Sequence, residues 1–379
     1  GLTHVGLSSS NAAGDVSFTN LKNLVEANMS NGAGDVSVAY NAAIVAGTAD
    51  TQTLNVANAS AGTFTAAGVE TVAINTSLLA SALTGITAGA MSKLTVAGDK
   101  DLSIASALDF AGTGTINGTV DASAFTGGLT LNLTTAEVVS ATGGSGADTF
   151  ALNATTTKAD IIDGGDGSDT VAITIGAETL DATATTGELI GISNVETIRL
   201  VSSDTSDAST LNVAALTGVT DVSLTGLVSF TVVNAGSAQA NDVVSYTVNG
   251  TALTTTLDVS STTTMADGLV ASINAANLGV TAANASAVVT LTPTTATSVV
   301  MSALVNDTVS SRNVTTATLA GSDDHAMTVT NMTTQSVTVL GGGSNAAAAN
   351  YGVLDLSMTD ASGAADKMTV NLSSGAAHK

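Results

Sequence analysis

Thr142-Gly-Gly-Ser-Gly-Ala-Asp-Thr-Phe-Ala151 and Asp163-Gly-Gly-Asp-Gly-Ser-Asp-Thr-Val-Ala172 are two copies of one pattern. From Gly143 and from Gly164 the chain reads G-G-x-G-x-D-x-U-x, where U is a large apolar residue: Phe150 in the first copy, Val171 in the second. Closely spaced glycines let a tight turn expose its backbone carbonyls. Asp148 and Asp169 each add a hard anionic oxygen, and an all-oxygen ligand set on a glycine-rich turn suits Ca²⁺. The residue at U then points inward and opens a short strand. The second copy is preceded by Asp160-Ile161-Ile162-Asp163, which brings two further carboxylates to the Gly164 turn.

Repetition extends outward from this stretch. Asn11-Ala-Ala-Gly-Asp-Val-Ser-Phe18 returns as Asn31-Gly-Ala-Gly-Asp-Val-Ser-Val38, an offset of 20 residues, and the glycine motifs are offset by 21 (Gly143 to Gly164). A period near 20 predicts one coil of a β-solenoid, strand–turn–strand–turn; chance similarity in a low-complexity chain is the alternative. Short strands are expected at Val69–Ile74, Leu94–Val96, Leu102–Ile104 and Leu129–Leu133, by alternation and β-branched content. Val195–Leu200 repeats the pattern of Val69–Ile74, linking the regions on either side of the glycine motifs. Between the first two copies, Leu21, Leu24, Val25 and Met29 fall at helical spacing, which predicts a short helix over Leu21–Met29. Asp15 and Asp35 read as solvated turn carboxylates, and Asp323-Asp324-His325 reads as a loop.

Composition agrees with a thin β-rich body. The chain has 379 residues, 44% hydrophobic but only 2% aromatic, with a single proline, Pro293. Alanine, valine, threonine, serine and glycine cannot fill a broad core, but they fill the narrow gap between closely spaced β layers. With 31 acidic and 8 basic residues the net charge is −23, and the basic residues stand singly. No basic patch is present to neutralise phosphates, which argues against nucleic-acid binding. Such a surface repels itself, and divalent cations relieve that repulsion. Cysteine is absent, so an exported chain needs another staple, for which bound calcium is the natural substitute. No apolar run reaches the roughly 18 residues of a membrane span, and Gly1-Leu2-Thr3-His4 does not begin a signal peptide.

A different pattern occupies residues 228–300. Val243–Thr251 predicts a strand entering a hairpin at Asn249-Gly250, with Thr254–Val259 returning. Ser261–Thr264 offers cap residues, and Met265, Leu269 and Ile273 with Val270 predict a helix over Met265–Ala276, stopped by Asn277-Leu278-Gly279. Val280–Ala283 and Val288–Thr292 complete a ββαββ unit. Strands follow at Val353–Met358 and Met368–Leu372, and no closing cap precedes the end at Lys379, which implies a longer parent chain. The expected class is all-β: a β-solenoid or β-sandwich body with a calcium-binding segment and a small inserted ββαββ domain. The expected division is a β-rich repeat region (1–135), the calcium-binding segment with the strands after it (136–205), the ββαββ domain with flanking strands (206–320), and a second β-rich repeat region (321–379).

The two glycine motifs resemble RTX repeats. Together with Gly68-Val-Glu-Thr-Val72, Leu94-Thr-Val-Ala-Gly98, Val120-Asp-Ala-Ser-Ala-Phe-Thr-Gly-Gly128, Val353-Leu-Asp-Leu-Ser357 and Ala365-Asp-Lys-Met-Thr-Val-Asn-Leu372, they are similar to calcium-dependent surface-layer (S-layer) proteins of Gram-negative bacteria. Tyr246–Ala282, through Thr247-Val-Asn-Gly250, Met265-Ala266, Leu269-Val270, Ile273-Asn-Ala275 and Gly279-Val280, resembles the flagellin hook IN motif of extracellular filament proteins. The resemblance implies a self-assembling lattice on the outer-membrane exterior, stabilised by Ca²⁺, attached through lipopolysaccharide and exported by type I secretion. It also implies the ligands: Asp148 and Asp169, carbonyls of Gly144, Gly146, Gly165 and Gly167, and secondarily Asp163 and Asp166, with Asp160 a weaker candidate. The usual repeat stacks copies nine residues apart and closes a site across 18, a geometry that an offset of 21 does not fit. Ordinary glycine–aspartate turns without metal are the alternative.

An enzyme is not expected. The only histidines are His4, His325 and His378, none in H-E-x-x-H; G-x-S-x-G is absent, as are Ser-x-x-Lys and any cysteine nucleophile. The alternative to a surface layer is a calcium-binding adhesin or surface filament, and long-range order separates the two. Asn-x-Ser/Thr sequons such as Asn132-Leu133-Thr134 arise freely from this composition.

Overall fold

A computed structural model of the chain describes residues 1–202 except 13, 136, 154–155, 176–178 and 182–186, then 208–212, 216, 218–225, 228–234, 243–248, 251–256, 261–293, 305–306, 314–320, 322–323, 326–332, 336–340, 350–351, 354–358 and 369–373. The chain forms two compact units. The first comprises Gly1–Ala172, Asp181–Ile198 and Ala214–Val219, the second Ile173–Leu180, Arg199–Val213 and Thr220–Lys379.

The first unit contains a β-solenoid. Its front sheet has nine parallel strands in coil order: His4–Ser8, Glu26–Ser30, Thr51–Ala57, Thr71–Thr76, Lys93–Gly98, Gly118–Phe125, Val139–Thr142, Ile161–Asp163 and Ile192–Ser193. Each coil supplies one strand, so nine front strands mean nine turns. Coil length runs from 20 residues (Thr51 to Thr71) to 30 (Ile162 to Ile192). The second face begins with Val16–Leu21, Val36–Tyr40, Thr63–Ala66 and Gly85–Thr87. It divides in the coil holding Ser81–Leu83 and Gly85–Thr87, and Ser81–Leu83 pairs onward with Leu102–Ile104 and then Leu129–Asn132.

Alternation of period two fills the core. In Thr51–Ala57, Gln52, Leu54 and Val56 are buried and the residues between them are not. Equivalent residues of successive coils stack: Leu54 on Ile74, Ile74 on Val96. Phe64, Phe125 and Phe150 are fully buried, each contributing about 1.5–3 kcal/mol of apolar burial. Gln52 is a fully buried polar residue of this core. Its amide donates to the Val25 and Thr53 carbonyls at 2.9 and 2.6 Å, and its Oε1 accepts from the Tyr40 hydroxyl.

The helix expected over Leu21–Met29 does not form. Glu26–Ser30 is a strand, paired on one side with His4–Ser8 and on the other with Thr51–Ala57. Ala27 and Met29 point inward while Glu26 is exposed. Two parallel ladders and a period-two core face outweigh four apolar residues that also happen to fit a helix.

The second unit holds the helix and hairpins. Val243–Val248 pairs antiparallel with Thr251–Thr256, and Val280–Ala285 with Val288–Pro293. Thr262–Ala275 lies between the hairpins as a helix capped by Ser261. The Ser261 hydroxyl accepts from Thr264 N–H at 3.1 Å and the Thr264 hydroxyl accepts from Ser261 N–H at 3.0 Å, a reciprocal capping box. Tyr246, Met265, Leu269, Ile273, Val289 and Leu291 form its core. Asn274 clamps helix to sheet, exchanging two hydrogen bonds with the Ala282 backbone. Strand Asp221–Thr225, before this region, pairs in parallel with Ser336–Leu340 after it, and Ala208–Asn212 likewise with Ala326–Met332.

Candidate functional site

The 21-residue offset is one coil of the solenoid. Val139–Thr142 and Ile161–Asp163 are neighbouring front strands, with Ala141 opposite Ile162 and Thr142 opposite Asp163. Gly143 and Gly164 therefore leave the sheet one above the other. Backbone bonds hold the two turns in register: Gly143 N–H donates to the Asp163 carbonyl at 2.7 Å, and Asp166 N–H to the Gly144 carbonyl at 2.9 Å. Glycine is required by this closeness. A Cβ on Gly143 would lie 2.0 Å from the Gly164 oxygen, and Gly165 and Gly167 adopt φ of +93° and +136°.

The motif aspartates turn inward. Asp148 and Asp169 are each only 1% exposed. Asp148 is satisfied: Oδ1 accepts from Leu129 N–H at 2.8 Å and Oδ2 from Gly144 N–H at 2.7 Å. Asp169 Oδ1 accepts from Asp148 N–H at 2.7 Å, but its Oδ2 is buried without any hydrogen-bond partner. The two turns differ because Asp163 Oδ1 accepts the Gly165 N–H at 3.2 Å, as well as the Asn194 amide at 2.7 Å. The donor that serves Asp148 in the first turn is thus diverted in the second. A Cβ on Gly164 would sit 1.9 Å from the Asn194 carbonyl oxygen and 2.6 Å from Asp169 Oδ2, so these two oxygens face the same spot.

Electrostatics follow from this burial. Desolvation pushes the Asp169 carboxyl up to about 7; the Asp148 N–H opposes that, while the charges of Asp148, Glu196 and Asp163 add to it. Desolvation also raises Asp148, against its bonds from Gly144 and Leu129. A buried oxygen with no donor, beside other carboxylates and facing a carbonyl, attracts a proton or a cation.

The sequence-derived ligands are partly brought together. Asp148, Asp163 and Asp169 surround the stacked turns, whereas Asp166 is exposed at the turn tip. The Gly144 carbonyl already accepts Asp166 N–H, and the Gly146 carbonyl lies against Gly167, 2.2 Å from where a Cβ would stand. Asp160 serves a corner, accepting Val139 N–H at 2.9 Å and Thr157 N–H at 2.8 Å. Among the described residues, no group of three or more His, Asp or Glu side chains stands ready to hold a metal; any cation here would draw on carbonyls as well as carboxylates. Asp324 and His325 lie outside the described residues.

Glu196 is the participant that sequence reading missed. Its Oε2 accepts Asp169 N–H at 2.7 Å, while Glu196 and Thr197 N–H both donate to the Asp169 carbonyl at 3.2 and 3.0 Å. Glu70 treats Asp50 in the same way: Oε2 accepts Asp50 N–H at 2.8 Å, and Glu70 and Thr71 N–H donate to its carbonyl at 3.2 and 3.0 Å. The repeated Val-Glu-Thr tripeptide was the signal. Asp15 and Asp35, exposed as expected, belong to the same scheme, accepting Asp35 and Thr63 N–H at 2.9 and 2.7 Å.

No protein-family model, curated protein or solved structure matches the chain. Among the described residues no helix is long and apolar enough to cross a membrane.

Proposed function

We propose that the chain is a structural subunit of a calcium-stabilised extracellular surface layer that self-assembles into a lattice coating a Gram-negative cell. The observation that supports the calcium part of this reading is Asp169 Oδ2, buried without a donor and facing the Asn194 carbonyl; the surface-layer part rests on the sequence resemblance. Ca²⁺ would be held there by Asp169 Oδ2 and the Asn194 carbonyl, with the charges of Asp163 and Asp148 close by. Its double charge offsets the repulsion among Asp148, Asp163, Asp169 and Glu196. Binding free energy then becomes folding free energy. Extracellular calcium modules bind at about 10⁻⁴–10⁻³ M, which suits a chain exported unfolded by type I secretion and folded outside. The ββαββ segment serves as a surface insert, and attachment to lipopolysaccharide would fall to a part of the protein not identified among these residues.

The test is to strip the purified chain with a chelator and then restore calcium. Restored calcium raises the melting temperature and yields a two-dimensional lattice by electron microscopy. Isolated fibres would favour an adhesin or surface filament instead, and a melt and particle size indifferent to calcium would overturn the calcium reading.

A further inference from the structure

Both glycine turns build the same cradle. A Cβ on Gly143 would lie 2.0 Å from the Gly164 oxygen and 2.4 Å from Asp148 Oδ2; a Cβ on Gly164 would lie 1.9 Å from the Asn194 oxygen and 2.6 Å from Asp169 Oδ2. In each turn, then, a carbonyl of the following coil faces Oδ2 of a buried motif aspartate. In each, Oδ1 of that aspartate accepts one backbone N–H of the preceding coil, from Leu129 or from Asp148. The cradles differ in one bond. Asp148 Oδ2 accepts Gly144 N–H at 2.7 Å. Asp169 Oδ2 has no donor, and Gly165 N–H goes to Asp163 Oδ1 at 3.2 Å.

The source of that difference is the residue before the first glycine. Asp163 lies opposite Thr142 in the register of the front strands, so the second turn has a carboxylate where the first has a hydroxyl. Aspartate bonds its own backbone two residues on more strongly than threonine does. Asn194 holds Asp163 in place. It follows Ser193, which lies opposite Asp163, and it adopts the left-handed conformation, with φ of 49°, that asparagine tolerates. Its amide donates to Asp163 Oδ1 at 2.7 Å, and its carbonyl faces Asp169 Oδ2. One residue thus pins the group that takes the donor away and presents an oxygen to the group left without it. A carboxylate oxygen and a carbonyl oxygen are both acceptors and cannot satisfy one another; a hard cation satisfies both. In the first turn, Gly144 N–H already occupies Asp148 Oδ2.

We infer that the two turns take one cation rather than two, between Asp169 Oδ2 and the Asn194 carbonyl, and that Asp163 is the positioning residue that selects the second turn by withdrawing Gly165 N–H from Asp169. Resting on the calcium reading above, this selection goes beyond it. The glycine motif, present in both copies, does not make a site by itself; the residue that precedes it decides.

Equilibrium dialysis of the full chain against calcium counts the ions. Asp169→Asn should bind one fewer than the wild type. Asp163→Thr, which installs the residue of the first turn, should lose the same ion. Asp163→Asn, which keeps an Oδ1 for Gly165 N–H, should retain it, an outcome that separates positioning from direct ligation by the Asp163 charge. Thr142→Asp should gain one ion, by drawing Gly144 N–H away from Asp148 Oδ2, and adding Asp148→Asn to that variant should remove the gain. An unchanged count in Thr142→Asp, or loss of the ion in Asp163→Asn, would overturn the selection by Asp163 while leaving calcium at Asp169 intact. If Asp169→Asn binds as many ions as the wild type, the calcium reading of this site fails and the selection fails with it.

Discussion

Replacing Asp169 by asparagine should stabilise the fold in the absence of calcium and lose most or all of that advantage in its presence. Without calcium, the wild-type fold must carry an ionised carboxyl at a site that favours its protonated form. A carboxyl held at about 7 rather than the ordinary 3.8 costs the ionised fold about 4 kcal/mol, at ~1.4 kcal/mol per tenfold in proton affinity. The folded state binds the extra proton. The wild type should therefore be most stable below about pH 4 as far as this group is concerned, and lose that contribution as pH rises through 7. Asparagine keeps an Oδ1 for Asp148 N–H and can turn its amide toward the Asn194 carbonyl. At pH 8 in chelator, Asp169→Asn should gain roughly 2–4 kcal/mol over the wild type and lose most of the acid dependence. With calcium a hundredfold above its dissociation constant, the wild type gains about 2.7 kcal/mol that the variant cannot, so the difference should shrink or reverse. Denaturant melts at pH 5 and 8, in chelator and in calcium, read all four corners. A variant equally destabilised under all four conditions would refute the reasoning and leave Asp169 only its bond to the Asp148 amide.

Gly164→Ala drives a Cβ to within 1.9 Å of the Asn194 carbonyl oxygen; backbone cannot swing away like a side chain, and the denaturant midpoint should fall by the equivalent of about 3 kcal/mol or more. Phe150→Ala empties a fully buried position in the coil of the first glycine turn, with an expected cost of about 3–5 kcal/mol in the same assay. Glu196→Gln removes one of the charges that raise Asp169, so the Asp169 titration followed by carboxyl NMR should move to lower pH. Ser261→Ala breaks the capping box and should cost about 1 kcal/mol, visible as faster amide exchange at Thr264 with the calcium response unchanged.

The repeats were the most legible part of the sequence. Asn11–Phe18 and Asn31–Val38 announced a 20-residue period because Val16 does lie opposite Val36 in the second face. The hairpin and helix of the second unit could be read because a dipeptide turn, a serine cap and four-residue apolar spacing are local signals. Leu21–Met29 misled because periodicity within nine residues cannot see the ladders on either side. The glycine motifs named Asp148 and Asp169 but not their asymmetry. That asymmetry depends on which N–H reaches which oxygen, and so on Asp163 capturing Gly165 N–H. Glu196 was hidden by distance, 27 residues from the Asp169 amide that it accepts from, although one coil separates them in space.

Those corner contacts change what the acidity of the chain means. A charge of −23 looks like surface repulsion that a divalent cation must relieve. Yet Asp15, Asp35, Glu70, Asp101, Asp148, Asp160, Asp169 and Glu196 each accept a backbone N–H from a neighbouring coil. Where a strand ends and the ladder lacks a carbonyl, a carboxylate takes its place, and charge-assisted bonds of this kind are about twice as strong as neutral ones. At exposed corners such as Asp15 and Asp35 water screens the charge and the bond is the whole effect. At the glycine turns the same device is buried, and the unmatched oxygen of Asp169 turns a structural cap into a carboxyl that titrates at about 7. Calcium dependence, on this argument, should map to the two glycine turns alone: neutralising Asp15 or Asp35 should change stability by the loss of one hydrogen bond, equally with and without calcium.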